Sequence, residues 1–119
     1  SSDLDEEFIL KASGDIKRTL GNVESHPVYE IRGNMADSSQ EVKFLVNGES
    51  VTLCGPLSES DVLVIDTDDM TVKIGTENAL GQMKELNFPY LKAGTNTITF
   101  SESTGMLASV CVKAKSRWL

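Results

Sequence analysis

The 119-residue chain carries a net charge of −7, which argues against nucleic acid or an anionic membrane as partner, because both reward clustered Lys and Arg. Its length suits one domain with an ordinary core that needs no metal or disulfide. Hydrophobic residues make up 39% of the chain and gather in β-branched runs, which excludes wholesale disorder. No apolar run approaches the roughly 20 residues of a membrane span.

Taken from the start, Asp3–Glu7 is acidic and reads as a loose lead-in. Phe8–Ala12 and Asp15–Leu20 read as two strands turning at Ser13-Gly14. Gly21–Pro27 is a corner, with His26 held extended by Pro27. Val28–Arg32 alternates, placing Tyr29 and Ile31 on one face, and stops at Gly33. Asn34–Glu41 is a polar loop. Four apolar runs follow: Val42–Val46 and Val51–Leu53 flank Asn47-Gly48, a hairpin signal because both central positions accept positive φ. Val62–Ile65 and Met70–Ile74 flank Asp66–Asp69, whose carboxylates bond their own backbone in turns.

Leu80, Met83 and Leu86 then recur at near-helical spacing after a capping Thr76, which predicts one short helix near residues 77–86, kept short by Gly81. Phe88, Tyr90 and Leu91 bring a loop against the core. Thr95–Phe100 alternates, Ile98 and Phe100 opposite Thr97 and Thr99. In the last strand Ala108, Val110, Val112 and Ala114 face one way. The nearby Lys113, Lys115 and Arg117 make the only locally basic stretch, read as a solvated strand face. About nine short strands with regular turn signals predict an all-β, antiparallel two-sheet sandwich.

Chemistry is sparse in this pattern. The one histidine, His26, lies in a turn, and neither Cys54 nor Cys111 has a nucleophile's setting, so no catalytic residue is assigned. One His and two distant Cys cannot make a zinc site, and no cofactor is expected. The two cysteines read as reduced, packed thiols, although a bridge is not forbidden by their spacing. Asp66, Asp68 and Asp69 form a weak calcium candidate, but the spacing departs from the EF-hand loop and a β-turn explains the same residues. Carbohydrate is the remaining ligand class: sugar sites stack a ring on an exposed aromatic with amides and charges around it. Tyr90, Trp118 and Tyr29 are the candidates for ligand or partner contact. Trp118 could stack on sugar, pack on a neighbouring subunit or close the sandwich edge.

Several segments together resemble one family. Gly21-Asn22 through Pro27 to Gly33, the Asn47-Gly48 hairpin, Val64-Ile65-Asp66, Phe88-Pro89-Tyr90-Leu91-Lys92-Ala93-Gly94-Thr95-Asn96-Thr97-Ile98 and the closing Arg117-Trp118 resemble, in order, the C-terminal domain of siphophage distal tail proteins, the Dit or phage tail component family. The resemblance covers about residues 20–119 and implies a galectin-like jelly roll there, with 1–19 as linker and lead-in strands. It implies a virion structural component, made in the bacterial host cytoplasm, that acts as a protein-interaction platform in the baseplate of a phage or prophage tail tip. Its partners would be the tail tube and receptor-binding or tail-associated proteins, with a homohexamer only in the full-length protein and this chain monomeric. Two departures accompany it. The family's ring-forming N-terminal domain is not in this sequence, and the sugar-binding run of true galectins is absent around His26 and Trp118, so the fold does not carry their activity. The rival reading is a non-catalytic carbohydrate-binding module of a larger enzyme or adhesin; a small adhesin-like sandwich unrelated to phage is a third.

Overall fold

The computed structural model describes residues 3–18, 24–101 and 104–117. Its strands are, in chain order, β1 (Asp3–Leu10), β2 (Gly14–Arg18), β3 (Val28–Asn34), β4 (Glu41–Val46), β5 (Glu49–Cys54) and β6 (Leu63–Asp66). They continue as β7 (Thr71–Ile74), β8 (Glu77–Asn78), β9 (Met83–Glu85), β10 (Gly94–Phe100) and β11 (Met106–Arg117). Among the described residues these make two antiparallel sheets, ordered β1-β11-β3-β6-β7-β8 and β2-β10-β4-β5-β9. No helix among them is long and apolar enough to cross a membrane.

The two central hairpins form where the turn chemistry places them. Asn47 and Gly48 adopt φ of 51° and 86°, the paired positive values of a two-residue turn whose twist matches its strands. In the second hairpin, Asp66 Oδ1 accepts from the amides of Asp68 at 3.0 Å and Asp69 at 3.1 Å, and Met70 completes the reversal at φ 57°. Each hairpin belongs to a different sheet, so the chain crosses from one layer to the other between Cys54 and Leu63.

The start of the chain departs from expectation. β1 and β2 do not pair with each other; they form the outer strand of opposite sheets. Asp3–Glu7 is part of β1 rather than loose: its backbone pairs with β11 from Asp3 opposite Arg117 through Glu7 opposite Lys113. Glu7 and Lys113 thus place opposite charges across the antiparallel pair, which is stabilising, and on its other side Lys113 Nζ meets Glu30 at 3.0 Å.

Side chains alternating inward from both sheets fill the interior. Tyr29, Ile31, Phe44, Leu53, Leu63, Ile65, Leu91 and Ile98 are fully buried, with the Tyr29 and Phe44 rings tilted 56° at 6.0 Å. At β11 the alternation is broken by a bulge between Leu107 and Ser109. Val110, Val112 and Ala114 point inward as expected, but the extra residue turns Ala108 out and lets Leu107 pack on the core. Gly33 lies opposite Leu107 in this pairing, and a Cβ there would strike the Met106 carbonyl. The strand therefore runs through the glycine to Asn34 instead of stopping at it.

The helix near residues 77–86 reduces to one 3₁₀ turn, Leu80–Gln82, between β8 and β9. Its N-cap position is Ala79, which makes no side-chain cap bond, and not Thr76; just before it, Asn78 Oδ1 accepts from the Leu80 amide at 2.9 Å. None of its residues is buried, so no apolar face rewards a longer helix, and Gly81 weakens one further.

Candidate functional site

Among the described residues, the corner at Pro27, the Asn47-Gly48 turn, Asp66 and the segment entering β10 meet at one end of the sandwich. The register puts the beginnings of β3, β5, β7 and β10 and the ends of β2, β4 and β6 at that end, together with the start of β1 and the end of β11. The Asn47-Gly48 turn, the Asp66–Asp69 turn, the His26-Pro27 corner and the 87–93 segment all connect strands there. Gly21-Asn22 and Trp118 lie outside the described residues.

Asn96 holds this end together. Fully buried, its Oδ1 accepts from the Lys92 amide at 3.0 Å and from Asn47 Nδ2 at 2.9 Å, while its Nδ2 donates to the carbonyls of Lys92 at 2.9 Å and Gly94 at 3.2 Å. Asn47 Oδ1 in turn accepts from the Thr97 amide at 2.9 Å. A side-chain amide can serve two donors and two acceptors at once, so one buried residue closes the Lys92–Gly94 turn, which Gly94 completes at φ 82°, and ties it to the neighbouring hairpin. Leu91 exchanges both backbone hydrogen bonds with Ser25, at 2.8 and 3.0 Å. Thr67 donates from its amide and hydroxyl to the Pro27 carbonyl, at 3.1 and 2.7 Å, which clips the acidic turn to the corner.

Tyr29 and Tyr90 have opposite fates. Tyr29, a candidate contact residue, is completely buried because it lies on the inward face of β3; its hydroxyl donates to the Pro89 carbonyl at 2.8 Å. It serves as an internal brace and offers nothing to a ligand. Burial, with Glu49 nearby, pushes its phenol well above the usual tyrosine range. Tyr90 keeps 46% of its surface exposed and stacks on His26 with ring centroids 4.1 Å apart and a 39° tilt. Phe88, at φ 46°, turns the chain so that Tyr90 stays outside while Leu91 goes in. Beside this pair lies an open hollow of about 280 Å³ lined by Asn47, Glu49, Asn87, Phe88 and Tyr90 among others.

The remaining candidates are accounted for by local structure. Asp66, Asp68 and Asp69 make a turn in which Asp66 caps two amides, and no three His, Cys, Asp or Glu among the described residues converge on a metal-sized site. Cys54 and Cys111 are free and sit on different sheets. The Cys111 thiol donates to Glu7 at 3.5 Å, and burial together with the Glu7 and Glu30 carboxylates pushes it up to about 11. That makes it a poor nucleophile near neutrality. Sequence reasoning passed over Asn96, Asn87 and Glu49. The amide of Asn96 was in view as a motif letter, but its buried partners come from a hairpin far away in sequence.

Two stacked antiparallel sheets bound at one end by an amide-centred network define a β-sandwich module. The siphovirus-type tail component, C-terminal domain family matches residues 20–118, and the chain belongs to that family; it is a structural component of a phage tail. The crystal structure of SPP1 Dit (gp 19.1) superposes with a TM-score of 0.64 at 8% identity, over 98% of this chain and 47% of that one. The chain thus spans about half the length of the protein whose fold it shares. No curated protein matches it.

Proposed function

We propose that this domain is the outward platform of a distal tail protein: a rigid, non-enzymatic sandwich to which other tail-tip proteins are fastened in the baseplate. The observation that carries the reading is the family match over residues 20–118 joined to the fold shared with SPP1 Dit, described as a paradigm of the hub adsorption apparatus in phages infecting Gram-positive hosts. A hub needs modules that hold their shape under load, and the closed Asn96 network and filled core supply that. In the longer protein, an upstream ring-forming domain assembles six copies on the tail tube, and this domain presents its faces to receptor-binding or tail-associated proteins. Assembly takes place in the host cytoplasm before release of the virion.

Purified full-length protein, imaged by negative-stain electron microscopy and mixed with its tail-tip neighbours, tests this. Sixfold rings that bind a neighbour through this domain support the proposal. Rings that bind every neighbour equally well after deletion of residues 20–119 would refute the platform role. The rival, a carbohydrate-binding module of an enzyme or adhesin, gains no support from the family.

A further inference from the structure

We infer that the hollow beside Tyr90 is a contact site for a neutral saccharide. Three observations converge on it. First, the Tyr90 ring is exposed yet braced by the His26 ring at 4.1 Å. A ring held in place by packing presents an apolar face without losing rotamer freedom on binding, and aromatic faces with adjacent polar groups suit the mixed surface of a pyranose. Second, Asn87 and Glu49 line the same hollow, and neither side chain is engaged in a hydrogen bond among the described residues. An amide that both donates and accepts, beside a carboxylate that accepts, is the pairing that orients vicinal hydroxyls. The Asn47 amide, by contrast, is used on both sides and forms a fixed wall. Third, the hollow is small, about 280 Å³, and rigidly built, since Asn96 and the Tyr29–Pro89 bond fix the backbone beneath it. It has room for one or two sugar rings rather than a larger ligand.

The charge selects among sugars. Glu49 lines the hollow, the Asp66–Asp69 turn is clipped to the corner that carries His26, and the chain's net charge is −7. A phosphorylated or uronic polymer is repelled here, so the ligand class is an uncharged glycan.

The test is a titration of the ¹⁵N-labelled chain with methyl galactoside, methyl glucoside and methyl N-acetylglucosaminide, with glycerol 1-phosphate as the anionic comparison. At least one neutral sugar is expected to give saturable millimolar shifts on the amides of Glu49 and Asn87–Leu91, and glycerol phosphate none there. Tyr90→Ala, an exposed position whose folding is checked by the same spectrum, is expected to weaken binding about tenfold, and Tyr90→Phe to retain it. The inference is overturned if no neutral sugar gives saturable shifts at this end, or if Tyr90→Ala leaves them unchanged. Either result leaves the tail-platform reading standing, because that reading is tested on the full-length protein with its neighbours.

Discussion

Asn47 donates to the buried Asn96 at 2.9 Å across 49 residues of sequence, so an amide–amide bond extends the β4–β10 pairing into the Asn47-Gly48 turn. Replacing Asn96 with Ala leaves the Lys92 amide and carbonyl and the Asn47 side chain without that partner in a part-buried site. A loss of about 2–4 kcal/mol and a melting temperature lower by roughly 10 °C or more are expected. Thermal unfolding followed by circular dichroism checks this; an unchanged melting temperature would show the network to be incidental.

Tyr29→Phe removes the hydroxyl that braces the Pro89 carbonyl without changing the packing, and is expected to cost about 1–2 kcal/mol. The same tyrosine sets the alkaline limb of stability. Its folded-state pKa is raised by burial and then by Glu49, so the folded state keeps a proton that the unfolded chain releases above the ordinary value of 10.0. That contribution is complete below this pH and is lost as pH rises further. Cys111 acts in the same direction, from an ordinary 9.0 up to about 11. Denaturant midpoints measured across this window should fall with pH, and less steeply in Tyr29→Phe and in Cys111→Ser; parallel slopes in all three proteins would contradict the assignment.

Two glycines separate a close approach from an indifferent one. Gly33→Ala drives a methyl into the Met106 backbone at the bulge, where neither strand can yield, and is expected to destabilise by about 2 kcal/mol or more. Gly81→Ala meets nothing within 4 Å and is expected to be neutral or to stabilise by up to about 1 kcal/mol through the unfolded chain. Urea midpoints for the pair check the contrast, and the reverse order would mean the bulge is misplaced.

Asp66 works for its own turn. Asp66→Ala is expected to lower stability by about 1 kcal/mol, and Asp66→Asn, which keeps the acceptor, by less. Adding calcium should leave the melting temperature of the native chain where it was. A calcium-dependent rise that Asp66→Ala abolishes would restore the metal reading.

Much of this architecture was legible because its signals are local. Asn47-Gly48 names its own turn, the Val42–Val46 and Thr95–Phe100 alternations name their faces, and the string from Phe88 to Ile98 carried the family resemblance. What was not legible depends on distant partners. Asp3–Glu7 looks like a loose acidic tail until the last strand pairs with it from the other end of the chain. Tyr29 looks like an aromatic for contact, and only the closing of the second sheet over β3 buries it. The bulge that turns Ala108 outward is a property of the β3–β11 pair, so the alternation of β11 alone misassigns that residue. At the candidate site, Tyr90 could be picked as an aromatic. Its support by His26 and its neighbours Glu49 and Asn87 come from separate loops that only the fold brings together.

Immunogold labelling of intact virions with antibody raised against this chain tests the central claim most directly. The account predicts gold confined to the distal tip of the tail, where a distal tail protein sits. Label along the tail tube, on the capsid, or absent from virions that contain the protein by immunoblot after disruption of the tip would contradict it.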